Sequence, residues 1–139
     1  MKYRNLILAA LLLAAAAPMA TAEASRDAIL AAFAAEARKA NPSFSAFSAV
    51  AGKKFWTAQH TGGSGDANTC TACHTKDATA VGQTRAGKAI DPMAVSANPQ
   101  RFTDPAKVAK WFSRNCGTVL GRECSAEEKG NIITYLSSL

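Results

Sequence analysis

The chain is poor in the residues that most metal and catalytic sites are built from: 139 residues contain four cysteines and two histidines, His60 and His74. With no second Cys/His pair at a matching distance, a four-ligand zinc site is disfavoured. The one glycine-rich stretch, Gly62-Gly63-Ser64-Gly65, is not followed by Gly-Lys-Ser/Thr, so it reads as a flexible loop and not as a phosphate cradle. Convincing strand patterns, βαβ units and internal repeats are all missing, which argues against a thioredoxin-like dithiol and leaves an all-α reading. After residue 22 no apolar run is long enough to span a bilayer.

What is present begins at the N-terminus. Lys2 and Arg4 precede an unbroken apolar run from Leu6 to Ala17, Pro18 breaks it, and Ala20-Thr21-Ala22 offers a small-x-small cleavage site. This is the pattern of a secretory signal peptide over residues 1–22, too short and wrongly flanked for a spanning helix. Cleavage after Ala22 leaves a domain of residues 23–139, soluble and exported to a periplasm. The formal net charge of +6 falls when Lys2 and Arg4 are removed. Scattered lysines on an exported protein fit steering toward an acidic redox partner better than nucleic-acid binding.

The chemistry centres on Cys70-Thr71-Ala72-Cys73-His74. Two thiols three positions apart, followed at once by an imidazole, is the spacing that attaches a c-type haem. The thiols add across the two vinyl groups on one porphyrin edge, and the next residue binds iron as the proximal ligand. Cys70 and Cys73 are then the covalent anchors and His74 the proximal ligand of one haem c. That leaves Cys116 and Cys124, an even remainder in an oxidising compartment, which predicts a disulfide. On one continuous helix their Cα atoms would be about 12 Å apart, beyond bridging distance. The helix must therefore stop between them, at Gly117 or Gly121.

Four helices are predicted. An extra N-terminal helix covers about 25–40, capped by Ser25, with Ile29, Ala32 and Phe33 on one face and Asn41-Pro42 as its stop. A second covers 46–59, carrying Phe47, Val50, Ala51, Phe55 and Trp56, with Gly52 marking a close helix crossing. From Thr75 to Arg101 the chain is read as loop around the haem edge. The third helix has Asp104 as cap and Pro105 at its first position, and places Val108, Trp111, Phe112 and Asn115 on one face. The fourth opens with a capping box, Ser125 and Glu128, and carries Ile132, Ile133, Tyr135, Leu136 and Leu139 as its apolar stripe. The cofactor itself supplies much of the core, so few large apolar side chains suffice.

The distal iron ligand decides function, and three residues compete for it. Met93 is the only methionine after residue 22, and would make a six-coordinate His/Met electron shuttle. It lies only 19 residues after His74, a short span for reaching the opposite face. His60 would make a bis-histidine haem, but its position reads as solvated. Asn115 is either a helix C-cap before Cys116-Gly117 or a ligand, since a carboxamide among apolar side chains needs a partner.

Three further stretches carry a family resemblance: Ala97-Asn98-Pro99-Gln100-Arg101-Phe102-Thr103-Asp104, Lys110-Trp111-Phe112-Ser113-Arg114-Asn115-Cys116 and Gly121-Arg122-Glu123-Cys124. From about Ala46 onward the chain resembles the sphaeroides haem protein family, small bacterial cytochromes c of class I-like helical fold. The resemblance implies that Asn115, directly before the first disulfide cysteine, binds ferric iron through its side-chain oxygen. It further implies that this ligand leaves on reduction and that the ferrous iron then takes dioxygen or another small diatomic. A partner such as a diheme cytochrome c is implied as well. Met93 matches no ligand of the family and stands as the alternative. A haem peroxidase or a reductase of oxygen or nitrogen oxides would need a distal acid–base group, for which only His60 is available. The reading is therefore of a carrier and ligand binder more than an enzyme. Lysines 53, 54, 76, 88, 107 and 110 are candidate docking residues for the redox partner.

Overall fold

Alanine-rich sequence with Pro18 in its first turn starts a helix earlier than the periodicity suggests. The computed structural model describes residues 17–64 and 67–139, and its first element is α1 (Ala17–Ala40). The apolar run read as a signal peptide lies, up to residue 16, outside the described residues, as do Gly65 and Asp66. Ser25 is consequently inside α1 and caps nothing: its Oγ donates to the Thr21 carbonyl at 2.9 Å. The buried stripe of α1 is Ala22, Arg26, Ile29 and Ala37, flanked by Phe33, whereas Ala32 faces solvent. The helix ends at Asn41-Pro42 as expected.

α2 (Ala49–Thr57) is shorter than predicted because Ser48 caps it, its side chain accepting from the Ala51 amide. Phe47 therefore precedes the helix, where it stacks near Phe44 (centroids 5.0 Å apart), and Val50 is exposed. Gly52 does mark a crossing. A Cβ there would run into the Asn131 carbonyl and lie 2.8 Å from the Tyr135 Cβ, so only glycine lets α2 lie this close to the last helix. α3 (Thr71–His74) is a single turn. The following segment is loop apart from a two-residue hairpin that periodicity could not reveal, β1 (Gly82–Gln83) antiparallel to β2 (Ala89–Ile90), with Gly82 opposite Ile90.

α4 (Pro105–Leu120) starts as predicted: Pro105 is in the first turn and the Asp104 carboxylate accepts from the Ala106 and Lys107 amides. It runs through Gly117 and stops at Gly121, which takes a left-handed φ of 69°. The stop allows Cys116 and Cys124 to bridge, with Cα atoms 5.6 Å apart and both residues buried. Far from swinging free, the glycine loop rests on this helix end, Ser64 donating its amide to the Thr118 carbonyl at 3.0 Å. α5 (Ala126–Ser137) opens with the full capping box of Ser125 and Glu128, and Arg122 adds a two-point ion pair to Glu128. It packs across α2 and α1 through Ile132, Ile133, Tyr135 and Leu136, while Leu139 lies beyond the helix and is 42% exposed. Among the described residues no helix is long and apolar enough to cross a membrane.

Candidate cofactor site

Cys73 and His74 lie in the single turn of α3 and Cys70 stands at its N-cap, and the two cysteines are half-buried and not bonded to each other. The turn is held in place by its neighbours more than by its own four residues. β1 crosses so closely that a Cβ at Gly82 would strike the Cys73 carbonyl and lie 3.1 Å from the His74 Cα. Thr75 leaves the turn with a positive φ of 61°, and the His74 ring lies 5.3 Å from the Trp56 ring.

The chemistry of these side chains fits covalent haem. Burial raises the Cys70 pKa to about 11, with the Cys73 charge adding to it. The thiol is thus uncharged at neutral pH, as the thioether would be, so forming the bond buries no charge. Burial, assisted by the Arg101 charge, lowers the His74 pKa to about 4, so the ring is neutral, the form that binds metal. Its Nδ1 is buried and has no hydrogen-bond partner. Among the described residues no three His, Cys, Asp or Glu side chains gather into another metal site.

The three distal candidates lie in different surroundings. Met93 lies in the loop between β2 and α4. Its amide and that of Ala94 both donate to the carbonyl of Ala78, four residues after His74, at 2.9 Å, and its side chain packs against the core. His60 is half-buried: its ring lies 4.6 Å from the Phe55 ring and Nε2 is 3.0 Å from the Phe55 carbonyl. Asn115 is no C-cap, because α4 continues to Leu120. Nor is it buried. At 100° per residue the core stripe is Val108, Phe112, Cys116 and Leu120, which leaves Trp111 and Asn115 on an adjacent exposed stripe. The six candidate lysines are all exposed and are spread over α2, the 75–101 segment and α4.

Comparison with known proteins places the chain among c-type cytochromes. Residues 42–136 match a protein family described as a domain of unknown function, DUF1924. The chain is 47% identical over 87 residues to cytochrome c-type protein SHP of Cereibacter sphaeroides, covering 63% of this chain and 67% of that one. The chain belongs to the sphaeroides haem protein family. It is also 41% identical over 101 residues to cytochrome c'' of Methylophilus methylotrophus, covering 72% and 70% of the two chains. The solved structure of oxidised SHP, described as an oxygen-binding cytochrome c, superposes with a TM-score of 0.75 at 39% identity over 82% of this chain and 96% of that one. Oxidised cytochrome c'' gives 0.73 at 35% identity over 83% and 94%. Members of the sphaeroides haem protein family are c-type cytochromes, and the cofactor of this one is covalently bound haem c with its iron.

Two arginines of this site escaped sequence reasoning. Arg101 donates to the Pro92 and Asp91 carbonyls at 2.8 and 2.5 Å, and Arg26 reaches from α1 to the Pro99 and Arg101 carbonyls at 2.8 and 3.2 Å. Neither contact has a local signal, since Arg26 is more than 70 residues from its acceptors.

Proposed function

We propose that this chain is an exported, periplasmic monohaem cytochrome in which Cys70 and Cys73 hold the haem, His74 is the proximal ligand and Asn115 binds ferric iron and leaves on reduction. The site then admits dioxygen or another small diatomic molecule. When bound, the haem supplies an iron that exchanges one electron and, when ferrous, binds such diatomics.

One observation carries this reading: Asn115 stands inside α4, immediately before a disulfide cysteine, with its side chain exposed instead of capping the helix. The helix and the Cys116–Cys124 bridge hold its backbone, so detachment is a side-chain swing and not a loop rearrangement. A carboxamide oxygen is a hard, weak donor that suits ferric better than ferrous iron. The Met93 amide is held by the Ala78 carbonyl and its side chain packs against the core, which supports Asn115 over a His/Met shuttle. His60 is engaged by Phe55, which leaves no free distal histidine for acid–base work and supports a carrier over a peroxidase or a reductase.

The electron would come from an acidic redox partner such as a diheme cytochrome c. Its docking surface includes Trp111, 50% exposed, with the Lys110 Nζ and Arg114 Cζ atoms 5.6 and 5.4 Å from the ring centroid. Aromatic and arginine side chains grouped in this way are frequent anchors of protein interfaces. Asn115→Ala is expected to turn the ferric spectrum from low-spin to high-spin, while Met93→Leu leaves it unchanged. The reverse outcome would assign the distal ligand to Met93.

A further inference from the structure

Asn115 has one large neighbour on the exposed stripe of α4. Trp111 lies four residues earlier, one turn along the helix, and is 50% exposed. Side chains at this spacing have Cβ atoms roughly 6 Å apart, and each leans toward the N-terminal turn. The Asn115 carboxamide therefore leans toward the indole. The ring is held where it stands: the Lys110 Nζ and Arg114 Cζ atoms lie 5.6 and 5.4 Å from its centroid, within cation–π reach.

One turn beyond Asn115 is Val119, half-buried against the core. On the inner side Phe112 is buried edge-to-face against Phe33, with ring centroids 6.2 Å apart. Asn115 is thus bounded by apolar side chains before and after it along the helix. The backbone beneath is equally fixed, because α4 continues to Leu120 and Cys116 is bridged to Cys124. A ligand that replaces the carboxamide therefore gains only the room that one amide group gives up.

We propose that Trp111 is the specificity-determining residue of the distal site, a held ring that limits incoming ligands to diatomic size. This rests on the Asn115 reading and names what the site excludes. A diatomic fits where the amide was, whereas a ligand carrying an alkyl chain has to displace the indole and break its two cation contacts. Selection of this kind works by a clash with the larger molecule and adds nothing to the affinity for the smaller one. Lys110 and Arg114 are positioning residues that act through the ring they hold.

The test is stopped-flow binding of carbon monoxide and of n-butyl isocyanide to reduced holo-protein, read as the ratio of the two association rates. Trp111→Ala is expected to raise the isocyanide rate about tenfold or more and the carbon monoxide rate by no more than about threefold. Trp111→Phe should fall between wild type and Trp111→Ala, and Arg114→Gln, which frees one face of the ring, should raise the ratio about twofold. Val50→Ala, at an 81% exposed position on α2, is the control and should leave the ratio at its wild-type value. With five-coordinate reduced iron, a wild-type ratio in Trp111→Ala would overturn the proposal and leave the Asn115 reading standing. An equal rise in both rates would overturn it too, as the sign of a loosened fold. If Trp111→Ala does not hold haem, Trp111→Phe decides, and a wild-type ratio there refutes it. Retention of a sixth ligand in the reduced wild type would slow both ligands in every variant and remove the Asn115 reading together with this one.

Discussion

The two elements that the proposed function sets on either side of the haem are made in opposite ways. On the His74 side a four-residue turn is held by what surrounds it: Gly82 against its backbone, the Ala78 carbonyl shared by two amides, and two arginines lacing the 91–101 carbonyls. On the Asn115 side a 16-residue helix capped at both ends and closed by a disulfide needs no such lacing, and it presents an exposed carboxamide. On the proposed reading, the first construction fixes a ligand for good. The second fixes the backbone and leaves only the side chain able to move, which is what a ligand that must come and go requires.

That contrast can be broken from either side. The largest effect is expected from Cys70→Ser combined with Cys73→Ser, which removes both anchors. Haem staining on a denaturing gel should vanish, and a retained covalent signal would refute the attachment. Next comes Gly82→Ala, whose new methyl meets backbone that cannot move aside, at a cost of about 3 kcal/mol by chemical denaturation. A cost near zero would show that the His74 turn is not braced there.

The Asn115 side should be more forgiving. Replacing Cys116 and Cys124 by serine removes a small covalent ring and should cost about 2–3 kcal/mol in the chain-entropy account. The helix should survive, with Asn115 exchange altered in rate more than in occurrence, as stopped-flow CO binding would report.

The smallest effect belongs to Glu128. Hydrogen bonds from Arg122, then from the Ser125 backbone, hold its pKa below the usual 4.5 against the opposing effect of burial. Its contribution is therefore present above about pH 4.5 and fades as the pH falls through the lowered folded value. Glu128→Gln should cost about 1 kcal/mol at neutral pH and flatten the acid limb of the stability curve. An acid limb as steep as in the wild type would place the titrating group elsewhere.

Local chemistry was legible where it acts over a few residues. Asp104-Pro105 and Ser125…Glu128 announce their helix starts, and the four cysteines sort themselves into anchors and a bridge. Gly52 foretold the crossing that seats α2 on α5, because only a packing demand keeps glycine in a helix at that cost. The Asn115 position illustrates the limit. Glycine at 117 suggests a helix end, yet propensity alone does not stop a helix that tertiary packing continues to Leu120. The start of α1, the β1–β2 hairpin and the arginine lacing were illegible for a related reason. They depend on alanine-rich helix extension, a two-residue pairing and contacts across the length of the chain, none of which leaves a periodic trace.

The central claim is that a carboxamide which tolerates ferric iron releases ferrous iron. The most direct measurement is the absorption spectrum of purified holo-protein reduced under argon. Five-coordinate, high-spin ferrous haem is the predicted result, whereas a six-coordinate, low-spin spectrum would contradict it.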